Sequence, residues 1–106
     1  MRDIRQGDIW QVRTITGEAV RTVAVLDSDA VVKLRPAVVV APVLPQREVP
    51  NGVRLLAVPL AGDPAETVAV YSLSTVLKER FAQRVGAASA EEWDLIKNAL
   101  AARFDL

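Results

Sequence analysis

The chain has 106 residues, 51% of them hydrophobic and 25% charged, which fits one domain over residues 1–106 and argues against disorder. Thirteen basic and thirteen acidic side chains cancel, so a site for a polyanion must be local rather than the product of a whole-molecule field. With no cysteine and no histidine, disulfides, thiolate chemistry, imidazole metal cages and histidine proton shuttles are all excluded, and neither a metal nor a cofactor is expected.

The first residues, Met-Arg-Asp-Ile-Arg-Gln-Gly-Asp, carry no apolar signal stretch, so the chain reads as cytoplasmic and without a membrane role. Gly7-Asp8 is a turn signal leading into Ile9 to Thr14, whose alternation of apolar and polar residues predicts a half-buried strand. Thr16-Gly17-Glu18 interrupts it, Ala19 to Leu26 resumes in extended style, and Asp27-Ser28-Asp29 turns the chain again. The two aspartates read as turn formers rather than an acid/base pair, and Ala30 to Leu34 as the return arm of a hairpin. Leu34 to Val43 is the central strand: the apolar run Ala37 to Ala41 carries three valines between prolines, the pattern of a strand buried on both faces. Pro36 holds Arg35 extended and presents its guanidinium at the strand entrance.

Leu44 to Gly52 collects prolines, charge and an Asn-Gly pair and reads as a surface loop. Val53 to Leu60 is then a mainly buried strand, Ala61 to Glu66 a second loop, Thr67 to Tyr71 a strand, and Leu73 to Leu77 another or its continuation. Lys78-Glu79-Arg80 makes a short helical turn before Phe81 to Val85 returns to Gly86. Ser89-Ala90-Glu91-Glu92 has capping-box spacing, and Trp93, Ile96, Leu100 and Phe104 give the following helix one apolar face to pack on a sheet. Short strands followed by one terminal helix predict a mainly β fold: a small, bent barrel with an α-helix against it.

Gly7-Asp8-Ile9-Trp10, Arg35-Pro36-Ala37-Val38-Val39-Val40, Val58-Pro59, Lys78-Glu79-Arg80-Phe81, Val85-Gly86 and the terminal helix occur in an order that resembles the MazF/PemK toxin family. The resemblance implies a small SH3-like barrel related to the CcdB toxins, a homodimer, cleavage of single-stranded RNA, and an antitoxin partner whose disordered acidic tail occupies the RNA groove. It places the family's arginine on Arg35. The family's threonine falls on Ala61, which has no hydroxyl, and an acidic-amide pair falls on Tyr71 and Ser72. The stretch from Gly7 to Arg35 is longer than the family's usual spacing, which suggests an enlarged hairpin around Asp27-Ser28-Asp29.

Metal-free RNA cleavage needs an aligned 2′-hydroxyl, a proton acceptor, a proton donor and stabilised phosphorane charge. Arg35 suits the last of these and is the catalytic candidate. Lys33, Arg35, Ser72, Ser74 and Lys78 are the candidate RNA-binding set, supplying donors to a backbone without reading bases. Trp10 and Tyr71 are aromatic candidates for base stacking, with packing the better role for Trp10, and Thr67, Ser72 and Ser74 are hydroxyls that could stand in for the missing threonine. Beside the endoribonuclease stand a non-catalytic module binding RNA or antitoxin and a CcdB-like, gyrase-directed toxin.

Overall fold

The computed structural model describes residues 3–62 and 64–106. Gly7, at φ 85°, turns the chain into β1 (Asp8–Arg13), which pairs antiparallel with β2 (Val20–Val25). A six-residue helix α1 (Asp29–Leu34) follows, then β3 (Ala37–Pro45), two 3-10 turns (Gln46–Glu48 and Asn51–Leu56), and β4 (Ala57–Leu60). β5 (Glu66–Ala69), β6 (Ser74–Leu77), a 3-10 turn (Lys78–Arg80), β7 (Phe81–Ala87) and helix α2 (Ala90–Phe104) complete the order. The sheet runs β4-β5-β3-β2-β1-β7, with β6 also on β3, and every pair is antiparallel. Two register shifts bend β1 against β7 and curl the sheet towards closure.

β3 is buried on both faces, as its valine run predicts. Val38 and Val40 join Trp10, Val12, Val23, Val25 and Phe81 inside the barrel, while Ala41 and Val43 join Val58, Val68, Val70, Ile96 and Ala99 beneath α2. Trp10 is 6% exposed, meets Phe81 edge-on at 5.6 Å and donates its Nε1–H to Asp8 at 3.4 Å, so it packs and offers no face to a base. The buried Asp8 carboxylate also accepts from the Arg5 N–H at 3.1 Å and pairs with Arg84 at 3.1 Å. Among the described residues no helix is long and apolar enough to cross a membrane.

Four expectations change. Ala30 to Leu34 is helical rather than a hairpin arm, because Ser28 caps the turn by accepting from the Val31 N–H at 3.3 Å. Asp27 accepts from the Val39 N–H and Asp29 from the Gln6 N–H, each at 2.7 Å, so both carboxylates hold backbone and the long Gly7–Arg35 stretch contains a whole strand and helix, not an enlarged hairpin. Val53 to Leu56 winds as 3-10 turn, and the strand starts only at Ala57. Phe104 is 54% exposed and lies under the Arg103 guanidinium at 5.5 Å, so the core face of α2 ends before it.

The capping box forms as its spacing predicts: Ser89 Oγ accepts from the Glu92 N–H at 3.1 Å, and Glu92 Oε1 accepts from the Ser89 N–H at 2.8 Å. Glu92 Oε2 also accepts from the Ala61 N–H at 2.6 Å, fastening the end of β4 to the start of α2. The Ser89 N–H, helped by that of Ala61 and by the Ser89 hydroxyl and opposed by burial, holds the Glu92 carboxyl below its ordinary value of 4.5. A carboxylate whose pKa is lowered by folding adds stability that is complete above its unfolded pKa and lost as pH falls through the folded one. Chemical denaturation between pH 6 and 3, on a scale of about one unit either side of an ordinary carboxylate, should therefore show an acid loss of stability that is smaller in Glu92→Gln. Ser89→Ala should cost about 1 kcal/mol at neutral pH. Equal acid slopes in parent and Glu92→Gln would remove Glu92 as the clamp.

Candidate functional site

A groove of about 560 Å3 opens where the β1–β2 hairpin faces the segment between β5 and β7. One wall comes from Arg13 at the end of β1, Thr14, Ile15 and Thr16 in the connecting turn, and Arg21 at the start of β2. The other comes from Ser72, Ser74, Thr75 and Arg80, with Val12, Val23, Pro42 and Val76 as an apolar floor. The lining holds three guanidinium groups, five hydroxyls and no carboxylate. None of Arg13, Arg21 and Arg80 is in an ion pair among the described residues. Three uncompensated cations beside hydroxyl donors form a local anion-binding surface on a molecule of zero net charge.

The sequence explains how the walls are held. Val12 stands opposite Arg21, so hairpin register puts Arg21 on the face that floors the groove, whereas Arg13, paired with Val20, belongs to the other face and borders the groove only where β1 ends. Thr14 donates its N–H to the Ala19 carbonyl at 2.9 Å and accepts from Gly17 at 2.9 Å, and Gly17 takes φ 75°, which closes the turn. Pro42 sits where the free edge of β3 changes partner, after Val40 on β6 and before Val43 on β5, the place in a strand that tolerates a residue without an N–H. Opposite the hairpin, Arg103 on α2 donates to the Tyr71 carbonyl at 2.8 Å and the Val70 carbonyl at 3.4 Å, and Ser72 donates its N–H to Ala69 at 3.1 Å. The last turn of α2 thereby anchors the bend that delivers Ser72 and Ser74.

Of the residues singled out from sequence, Ser72 and Ser74 line this groove, whereas Lys33, Arg35 and Lys78 do not. Arg35 closes α1, extended at φ −116° and ψ 147° and exposed, with its N–H on the Val31 carbonyl. Lys33 is in the last turn of the same helix, and Lys78 donates its N–H to the Pro36 carbonyl at 2.9 Å. These three bases thus gather at the entrance of β3, two residues along the chain from the groove's Arg80. Ala61 lines a separate cavity with Glu66 and Glu92, on the opposite face of the β1–β2 hairpin, where Gln11 and Thr22 point away from Val12 and Arg21. Tyr71 is half-buried and contributes backbone rather than a ring to the site. Thr67 is buried outside the groove.

Sequence reasoning passed over Arg21, Arg13 and Arg80. A signal for Arg21 was present: Arg21-Thr22-Val23-Ala24-Val25-Leu26 is an arginine followed by an apolar run, like Arg35-Pro36-Ala37-Val38-Val39-Val40 but with threonine for proline. Only pairing distinguishes them. The strand that forms a hairpin with Gly7-Asp8-Ile9-Trp10 is the one that carries Arg21 near its start, and Arg35 stands before the following strand, β3. Among the described residues no three acidic side chains converge as a metal cage would need.

Residues 5–104 match the family model described as PemK-like, MazF-like toxin of type II toxin-antitoxin system. No curated protein matches the chain. Solved structures share the fold at low identity. A mycobacterial endoribonuclease in complex with its cognate antitoxin superposes with a TM-score of 0.81 at 16% identity, over 97% of this chain and 96% of that one. MazF in a MazE-MazF complex from Deinococcus radiodurans gives 0.81 at 15%, over 100% and 99%, and the Mycobacterium tuberculosis toxin MazF-mt6 gives 0.77 at 19%, over 93% and 97%. The barrel with its terminal helix is therefore the fold of these toxins.

The Arg103 anchor has a direct consequence for the groove. Arg103→Met keeps the aliphatic stem and removes both donors, so amide exchange at Ser72 should quicken about tenfold, the scale of one charge-assisted hydrogen bond. Exchange unchanged at Ser72 while α2 stays folded would mean that the bend holds itself.

Proposed function

The chain belongs to the PemK-like, MazF-like toxin family of type II toxin-antitoxin systems, and from that premise we propose that it is a growth-inhibiting, metal-independent endoribonuclease acting on single-stranded RNA in the cytoplasm. The observation that carries this reading is the groove with three guanidinium groups, five hydroxyls and no carboxylate. A phosphodiester entering it meets Arg13, Arg21 and Arg80 as bidentate donors, with Ser72, Ser74 and Thr75 able to orient the non-bridging oxygens and the ribose.

Cleavage by transesterification forms a bond from the ribose 2′-oxygen to phosphorus and breaks the bond to the 5′-oxygen. The 2′-hydroxyl loses a proton, the departing oxygen gains one, and negative charge grows on the phosphorane between. Arginines aimed at that charge lower the barrier without moving a proton themselves. The groove offers neither imidazole nor carboxylate, so solvent takes the proton from the 2′-oxygen and returns one to the 5′-oxygen, and the protein contributes charge stabilisation and alignment. On this reading Arg21 is the principal catalytic side chain. Lys33, Arg35 and Lys78 hold phosphates of the flanking strand, leading into the groove past Arg80. An antitoxin with a disordered acidic tail competes for the same cations, and a homodimer of the chain is part of the proposal.

End-mapping on a long single-stranded RNA separates these roles. Arg21→Ala should lower turnover by about 100-fold or more, the usual loss of one preorganised donor. Arg35→Ala should leave short substrates unaffected, and removing Lys33, Arg35 and Lys78 together should flatten the salt dependence of RNA binding by about 2 in slope. Turnover lost in Arg35→Ala but kept in Arg21→Ala would move the catalytic centre to the entrance of β3. Binding without cleavage in the parent would make the protein a binding module.

With solvent hydroxide as base, turnover should climb about tenfold per pH unit through neutrality instead of following a bell. Sedimentation at micromolar concentration tests the homodimer, and a clean monomer there removes it.

A further inference from the structure

Thr67 is 3% exposed, and its hydroxyl has no hydrogen-bond partner among the described residues. A buried polar group left unpaired costs stability, so such an atom calls for an explanation. Thr67 lines a cavity of about 220 Å3 together with Gln46, Val49, Arg54, Ala57 and Pro59, between the outer face of β4–β5 and the 3-10 segment that covers it. We propose that this cavity receives a single unstacked nucleobase of the RNA and reads it through the Thr67 hydroxyl. The inference rests on the endoribonuclease reading and adds a base-recognition subsite to it.

The position is suited to that role. Val68 faces the core beneath α2, so Thr67 faces the other side of the sheet, and its neighbour Leu44 on β3 shares that face with Pro42, in the floor of the cleavage groove. Groove and cavity therefore open on one face of β3. From Pro42 to Gln46 the strand advances about 13 Å at the usual rise, a distance that an extended single strand crosses in a few nucleotides.

The chemistry favours a base over a phosphate. An oxyanion wants several cations or N–H groups, and the cavity supplies one guanidinium, already bonded through Nη2 to Asn51 Oδ1 at 3.0 Å. A base edge wants donors and acceptors together. The Thr67 hydroxyl and the Gln46 carboxamide each offer both, while the flat Arg54 group and the Pro59 ring can face a heterocycle. The volume is below the roughly 300 Å3 at which sites for drug-sized ligands begin, which matches one ring system rather than a whole nucleotide.

The test has two arms on the full chain. In the first, adenosine, guanosine, cytidine and uridine are titrated separately, with inorganic phosphate as a fifth probe, while the Thr67 methyl resonance is followed by NMR. One nucleoside should move it at concentrations where the others do not, and Thr67→Val should abolish that preference. Thr67→Val loses no hydrogen bond within the protein, so it should fold at least as well as the parent. Four equal responses, no response, or a response to phosphate alone overturns the proposal. In the second arm, end-mapping should show the spread between preferred and disfavoured sites shrinking about tenfold in Thr67→Val, the worth of one hydrogen bond to a base. An unchanged spread also overturns the proposal. If the parent does not cleave RNA at all, the endoribonuclease reading fails while nucleoside selectivity still decides the subsite.

Discussion

The structure depends on one strand being shared. β3 pairs with β2 along one edge, and with β6 and then β5 along the other, so it is the seam at which the barrel is joined to the sheet beneath α2. Sharing requires burial on both faces, which the run from Ala37 to Ala41 supplies with residues that carry no polar atom to satisfy. Burial of its middle then dictates where charge can sit. A guanidinium can stand before the strand, as Arg35 does, or beside it on a neighbouring hairpin, as Arg21 does, but not on it. Only the second position faces a groove, because that is where the edge of β3 changes partner at Pro42 and the wall opposite is a bend rather than a strand.

Helix α2 works at both ends on parts that are not helical. At its start Glu92 reaches back to Ser89 and across to Ala61, and at its finish Arg103 holds the Val70 and Tyr71 carbonyls. Its buried side, Ile96 and Ala99, does the ordinary work of covering the sheet. The groove lies away from that helix, yet the bend carrying Ser72 is tied to it. A groove made from loops thus inherits its geometry from a packed element outside it, the arrangement by which loops become precise enough for chemistry.

How much of this was legible follows from the range of each interaction. The capping box needs only residues three apart and was readable as written; so was the double burial of β3, since its composition admits few other fates. Helix α1 was not readable, because Val31 and Val32 favour a strand by propensity and the cap at Ser28 and the Asp29 bond to Gln6 outweigh them. The site was half legible. Ser72 and Ser74 could be found from the segment they occupy, but two similar arginine-led runs, at Arg21 and Arg35, compete for one role. Nothing local separates them: Pro36 draws the eye to Arg35, and what favours Arg21 is that its strand pairs with β1. Thr67 shows the same limit from the other side, since a threonine in a strand is unremarkable until its hydroxyl is seen to lack a partner.

Zero net charge gives the groove a particular character. A strongly basic protein would draw RNA from a distance and hold it anywhere, with binding dominated by counterion release. Here the positive side chains matter only where carboxylates are kept away, and the chain keeps them away by using them elsewhere. Asp8 is buried against Trp10 and Arg84, Asp27 and Asp29 hold backbone N–H groups, and Glu92 clamps a loop. Each of these acids serves the fold, and among the described residues no carboxylate forms an ion pair with Arg13, Arg21 or Arg80. The same economy makes the groove easy to block, since an acidic peptide needs to match only a small number of cations to displace a nucleic acid that gains little from the rest of the surface. Local charge on a neutral scaffold is thus a physical basis for an anion site that a tail of the right sign can fill.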